Sequence, residues 1–498
     1  MTQGGAEVVT EPHRLTRRSR RRPVVVLLAL ALGPTVAMVA LWRWAEDRAA
    51  LGEPAVAVVA STDAEPSLVT PLLSVRRAPT TLAVSSALEA FRFQLGAVTS
   101  VLGATSCLAV SAHDRLVVGV RSSTPLIPAS TMKLLVGTVA LEVIGREATF
   151  VTEVRGEVVD GVLVGPLHLV GGGDPLLAAT WYPTTQRLAP EPRTPLESLV
   201  DAVAGSGVTL SAVGLVVHEE RYDTERFVPT WGDGIRSTEA GPVGALLIND
   251  GFVTGSPIKP DDPALAAGVE VANLLRDAGV DVTGDVTRAD ATPGLEAPAN
   301  VIASVTSAPL HEVVAEMLTT SDNTTAEMLV KEIAVASGRP GTRIDGLVVI
   351  QETLDRWGVP LVDMTLVDGS GLDRGNRLTC DLVLALLQRP GQLEGLRGAM
   401  AVAGETGTVA GLLRDTPLSG RLLVKTGTLR EVKAYSGYLP DAGGVDLVYS
   451  LMINGDQSAA CSAVSCPILE TLARALATYP GGAPTPDALG PRPVEGGS

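Results

Sequence analysis

Ser130 and Lys133 stand three positions apart in "IPASTMKLLVGTVALEVIG", at the start of an apolar run. A serine hydroxyl is a weak nucleophile until a base takes its proton, and a neutral lysine can be that base. The two must share a face. A helix start provides this, because positions i and i+3 are neighbours and Pro128 suits a first turn. Ser256 and Lys259 repeat the spacing, but Pro257 and Pro260 exclude a regular helix there. Two further groups lie downstream, Ser321-Asp322-Asn323 and Lys425-Thr426-Gly427-Thr428. In Glu405-Thr406-Gly407-Thr408 an acid replaces the cation, which makes that stretch a decoy.

Each group suits one step of acyl transfer. Burial and a second cation lower a lysine pKa, so Lys425 near Lys133 would help to free the base. Ser321 can relay a proton to a leaving amine, and Asn323 can hold a substrate amide through both its donor and its acceptor. Lys425, Thr426 and Thr428 offer a charge and hydroxyls to a carboxylate. Backbone N–H groups of Ser130 and Thr428 are the expected oxyanion hole. Asp322 reads as a turn former rather than an acid catalyst.

The elements that must position these groups are legible as periodicities. A helix is predicted over 86–102, a hairpin turning at His113-Asp114, and a helix from Ser130 to about Ile144. From 149 to 300 the chain is rich in β-branched residues and glycine and reads as an inserted α+β domain. Two helices follow, broken at Thr319–Asn323. "RLLVKTGTLR", "VKAYSGYLP" and "VDLVYSLMIN" then read as an antiparallel meander, with the lysine motif on an edge or near-edge strand, closed by a helix from Pro467 to Thr478. "VGGGD" (170–174) lacks the ending of a phosphate loop and reads as a turn.

The 498 residues carry a net charge of −16, with 46% hydrophobic and only 3% aromatic residues, so the core is built mostly from Ala, Val and Leu. The acidic balance disfavours nucleic acid, whose phosphates need a basic face. Residues 1–22 form a basic tail with six arginines, and 23–42 are uncharged and apolar over about a bilayer's thickness. With Trp42 and Trp44 at the far end, this is the pattern of a single-pass membrane anchor whose following domain lies outside the cytoplasm. A cleaved signal peptide, leaving a secreted protein, is the alternative. Residues 43–85 read as a linker and 479–498 as a disordered tail.

Four cysteines allow three pairings. Cys461 with Cys466 is the local choice, leaving Cys107 with Cys380, and free buried thiols remain the alternative. No zinc site fits these spacings. "HEVVAE" from His311 has Ala315 where a zinc protease needs its second histidine, so no metal and no cofactor is expected. "DGSGLDRGNR", with Asp368 and Arg374, reads as an ordered loop beside the site.

The three groups in this order are a signature of penicillin-binding proteins and class A β-lactamases. The gap of 191 positions from Ser130 to Ser321 accommodates an insertion that class A β-lactamases lack. With "LVGGGDPLL" (169–177), "LLINDG" (246–251), "VDGSGLDRGNRLT" (367–379) and "KTGTLREVKAYSGYL" (425–439), the chain resembles the D-alanyl-D-alanine carboxypeptidase/endopeptidase family, the class C low-molecular-mass penicillin-binding proteins. The resemblance spans about 86–478. It implies a penicillin-binding-protein/β-lactamase-like α+β domain, an antiparallel sheet flanked by helices, over 86–148 and 301–478, with 149–300 inserted. It implies Ser130 as nucleophile, Lys133 as base, Ser321 and Asn323 as the second-motif pair, and Lys425 as the carboxylate-binding lysine. Peptidoglycan stem peptides would be substrates and β-lactams inhibitors. A serine β-lactamase and a non-catalytic wall-binding protein are the competing readings.

Overall fold

The computed structural model describes residues 36–46, 80–182, 186, 188, 191–236, 238–289, 296–389, 393–440 and 446–479. The chain divides into two units, Met1–Thr70 and Pro71–Ser498. In the first, residues 36–46 form a short helix with exposed side chains. No described helix is long and apolar enough to cross a membrane. The expected anchor over 23–42 lies outside the described residues up to position 35. Most of the expected linker and nearly all of the tail lie outside them too.

In the second unit, α1 (Thr80–Thr99) starts six residues before the expected Ser86 and buries Phe91, Leu95 and Val98 at steps of four and three. β1 (Ser106–Ala112) and β2 (Arg115–Val120) form the expected hairpin, and both turn residues, His113 and Asp114, have positive φ. The predicted single helix from Ser130 is instead three pieces: a 3-10 turn (Ala129–Met132), α2 (Lys133–Ala140) and a π turn (Leu141–Gly145). All eight residues of α2 are buried, so no polar face remains to show a helical period.

The next stretch builds its own sheet. β3 (Val151–Val159) and β4 (Val162–Val170) form a hairpin, and a short parallel pair joins β5 (Leu177–Ala178) to β6 (Thr194–Pro195). α3 (Leu196–Ala204) leads to β7 (Val213–His218), and α4 (Pro263–Asp277) to β8 (Val282–Arg288). β4, β7 and β8 run parallel, which requires such crossovers. β9 (Val301–Thr306) completes the order β8-β7-β4-β3-β9 by pairing with β3. The inserted sheet therefore runs past the expected boundary at 300. Pairing with a strand 150 residues earlier leaves no local mark. Its core packs Leu199 and Val203 of α3 and Val271 and Leu275 of α4 onto Leu167, Leu169, Leu215 and Val217.

The chain then returns through α5 (Leu310–Thr320), α6 (Asn323–Ala336), α7 (Arg343–Arg356), α8 (Cys380–Leu387) and α9 (Leu393–Ala399). It ends in β10 (Ala401–Val402), β11 (Leu423–Leu429), β12 (Val432–Pro440), β13 (Asp446–Asn454) and α10 (Pro467–Leu476). The larger sheet has the antiparallel order β10-β11-β12-β13-β1-β2, so its first and last strands in sequence pair inside it. Alternate residues of β1 enter two cores. Cys107 and Ala109 face α2, α5, α6 and α8, while Leu108 and Val110 face α1 and α10. Disulfides join Cys107 to Cys380 and Cys461 to Cys466, the pairing expected from spacing.

Between α5 and α6 the chain turns within two residues. Asp322 caps α6 by accepting from Thr325 N at 2.9 Å, and Ser321 takes the left-handed conformation at φ 68°, ψ 38°. A residue with a Cβ is strained there. Ser321→Gly is therefore expected to resist urea better than Ser321→Ala by about 0.5–1 kcal/mol, although both lack the hydroxyl. Equal unfolding free energies would mean that the turn stores no strain.

Candidate active site

Ser130 sits on the 3-10 turn rather than in an α-helix, directly before α2. Its turn is fixed from two sides. Asn454 of β13 donates to Ile127 O at 3.1 Å and accepts from Ile127 N at 2.9 Å. On the other side β11 passes so close that a Cβ on Gly427 would stand 2.7 Å from Pro128 O and 3.0 Å from Ser130 N. Glycine at 427 is thus a packing requirement of the lysine motif. Ala129, just before the serine, is also left-handed at φ 47°.

Lys133 is fully buried, and its Nζ has three oxygen neighbours: Ser130 Oγ at 3.0 Å, Asn323 Oδ1 at 2.7 Å and Ser370 O at 2.7 Å. Two of these are carbonyl oxygens, which only accept. A neutral amine has two N–H bonds and one lone pair. Donating to Asn323 and Ser370 leaves the lone pair for the hydroxyl hydrogen of Ser130. Burial lowers the Lys133 pKa to about 8, against the pull of Asp368, Glu327, Asp322 and Glu239. Burial is the leading cause of the shift at Lys133, and repulsion between the two lysines adds to burial at Lys425.

Two segments hold the acceptors in place. In the loop from Asp368 to Asn376, the buried Asp368 carboxylate accepts from Gly371 N (2.8 Å), Asp373 N (2.6 Å), Asn376 Nδ2 (2.7 Å) and Trp231 Nε1 (2.9 Å). Glu327 of α6 accepts from Gly369 N and Ser370 N at 3.0 and 2.7 Å, which aims the Ser370 carbonyl. Burial and the nearby Asp368 push Glu327 up to about 7. Trp231 belongs to the stretch between β7 and α4. That stretch also presents Glu239 O to Asn323 Nδ2 at 2.6 Å and Gly241 N to Thr324 Oγ1 at 2.7 Å.

Ser130, Ser321, Asn323, Thr426 and Thr428 line one cleft of ≈ 1160 Å³, with Lys133 beneath them. β10 pairs with β11 only at Leu423 and Val424, so among the described residues the outer edge of β11 from Lys425 onward has no strand partner. Lys425 is buried, and among the described residues its Nζ has no hydrogen-bond partner. Burial first, and Lys133 second, push its pKa well down, while Glu316 pulls it up. Of the seven residues singled out from sequence, five line this cleft, Lys133 bonds two of them from beneath, and Lys425 is buried close enough to Lys133 to feel its charge.

Others were missed. Thr408, in the supposed decoy, bonds Thr426 Oγ1 through its own Oγ1 at 2.8 Å. Its clue was the repeated Thr-Gly-Thr. Ser370 and Glu239 act through backbone carbonyls, which leave no mark in a sequence. Arg374 lines the cleft and donates to Arg430 O at 2.7 Å. Lys259 of the spare motif is buried against Asp250 at 2.7 Å, well placed for structure and outside the cleft. Among the described residues no group of three or more His, Cys, Asp or Glu could hold a metal ion.

The profile of the D-Ala-D-Ala carboxypeptidase 3 (S13) family matches residues 100–261 and 255–475. A D-alanyl-D-alanine carboxypeptidase of Actinomadura sp. (strain R39) is 32% identical over 437 residues, 72% of this chain and 78% of its own. A carboxypeptidase of Mycobacterium tuberculosis is 33% identical over 350 residues, 66% of this chain and 71% of its own. Penicillin binding protein 4 of Haemophilus influenzae superposes with a TM-score of 0.62 at 20% identity, over 77% of this chain and 98% of that one, and so shares the fold. This chain belongs to the D-Ala-D-Ala carboxypeptidase S13 family of serine carboxypeptidases.

Proposed function

We propose that Ser130 attacks the carbonyl carbon between the two terminal D-alanines of a peptidoglycan stem peptide. The lone pair of Lys133 takes the Ser130 proton as the C–O bond forms. The tetrahedral oxyanion is met by backbone N–H groups of Ser130 and Thr428. Its collapse breaks the C–N bond, and the proton passes through Ser321 to the leaving amine. D-alanine leaves as that amine, and water then hydrolyses the Ser130 ester by the reverse proton path, releasing the shortened stem peptide and restoring the hydroxyl. Asn323 holds the substrate's backbone amide. The substrate carboxylate binds the hydroxyls of Thr426 and Thr428, and Lys425, buried on the opposite face of β11, draws it in through charge.

The observation that carries this reading is the arrangement at Lys133 Nζ, where two carbonyl acceptors leave the lone pair for Ser130 Oγ. Cutting a cross-link needs the same chemistry with a larger leaving amine, and the unpaired edge of β11 from Lys425 onward, along which a longer chain could lie, supports that second outcome. The basic, apolar N-terminal sequence and the two disulfides support a catalytic unit anchored at the plasma membrane and facing outward.

Incubation with a labelled penicillin is expected to mark the native chain covalently and to leave Ser130→Ala unmarked. Equal labelling of both would sink the assignment. The pH dependence has a definite sign. Only neutral Lys133 can accept the proton, so the acylation rate is expected to rise by about tenfold per pH unit below about 8 and to flatten above it. Stopped-flow acylation between pH 6 and 9 checks this, and a rate falling across that range would rule out an amine base.

A further inference from the structure

Side chains alternate along a strand, so β11 presents two faces. Gly427 faces the Ser130 turn and Lys425 shares that face, while Thr426 and Thr428 lie on the other. β12 sets Tyr435 opposite Thr426 and Lys433 opposite Thr428. All four of these residues line the cleft. Lys433 Nζ donates to Thr428 Oγ1 at 3.3 Å. That bond uses one of its three donors.

Lys433 is half-buried, and burial lowers its pKa, with no carboxylate among the described residues acting against it. The acid nearest in sequence, Glu431, lies instead 3.8 Å from Arg374. A partly desolvated ammonium matched to a single hydroxyl is under-compensated. Its missing partner is an anion arriving on the face of β11 that Thr428 shares.

We propose that Lys433 is a second cation for the substrate's terminal carboxylate, set beside Thr428 on the face of β11 opposite Lys425, and that it selects substrates with an acid rather than an amide or ester end. The proposal rests on the reading above, in which Thr426 and Thr428 receive that carboxylate. The two lysines divide the task by position. Lys425 lies deep, next to the base, where its charge also acts on Lys133. Lys433 stands at the cleft wall, where it meets the anion early and without disturbing the base.

The test compares acylation of the full chain by penicillin and by its carboxyl methyl ester. Lys433→Gln is expected to lower the second-order rate constant for the acid about tenfold and to leave that for the ester unchanged. Lys433→Arg, which keeps the charge, is expected to restore the rate for the acid. No loss with the acid, or an equal loss with acid and ester, overturns the proposal. The Ser130 reading fails separately, through absence of Ser130-dependent labelling in the native chain.

Discussion

A primary amine held out of water governs this site. Lys133 has no exposure, and a buried nitrogen left without partners costs about 1–3 kcal/mol, more when charged. Its hydrogen-bond partners come from three separate places: the hydroxyl of Ser130 on the 3-10 turn, the side-chain carbonyl of the first residue of α6 and the carbonyl of Ser370. Those segments must therefore meet at one point for the fold to be stable. The same convergence directs the lone pair at the hydroxyl. Stability and reactivity are here two results of one hydrogen-bond inventory.

The supports behind those acceptors widen the constraint. Asp368 gathers four donors and Glu327 two, so the loop carrying Ser370 is ordered by carboxylates that are themselves buried. Their charge keeps the Lys133 pKa from falling further, which balances burial at about 8. One of the six donors is Trp231, from the stretch that follows the inserted sheet's β7, and Asn323 is braced by Glu239 O from the same stretch. The insertion is thus a working part of the centre, bonded to Asp368 behind the Ser370 loop and to Asn323, which accepts from the base.

What the sequence showed and what it hid divide along a physical line. Ser130 and Lys133, the break at Ser321, the hairpin at His113-Asp114 and the closing meander are set by neighbours within a few positions, and all were legible. Thr408 looked like a decoy because its motif carries Glu405 where a cation belongs, yet the fold uses its hydroxyl against Thr426. The carbonyls of Ser370 and Glu239 were invisible because every residue has one. β9 was assigned to the wrong side of a boundary because its partner, β3, lies far back in the chain. The helix expected from Ser130 proved to be three segments, since a fully buried run gives no period from which to read its winding.

Inside the catalytic sheet β1 pairs with β13, so Ser106 faces Ile453 from far along the chain. β11 depends on β12, and β12 on β13, so the lysine motif has no resting place until the last strand has been made. A ribosome releases residues in order, and a translocating chain emerges in that order too. The nucleophile is therefore synthesised long before the cleft that would use it can close. Such an arrangement leaves the hydrolase inactive until its last strand is in place.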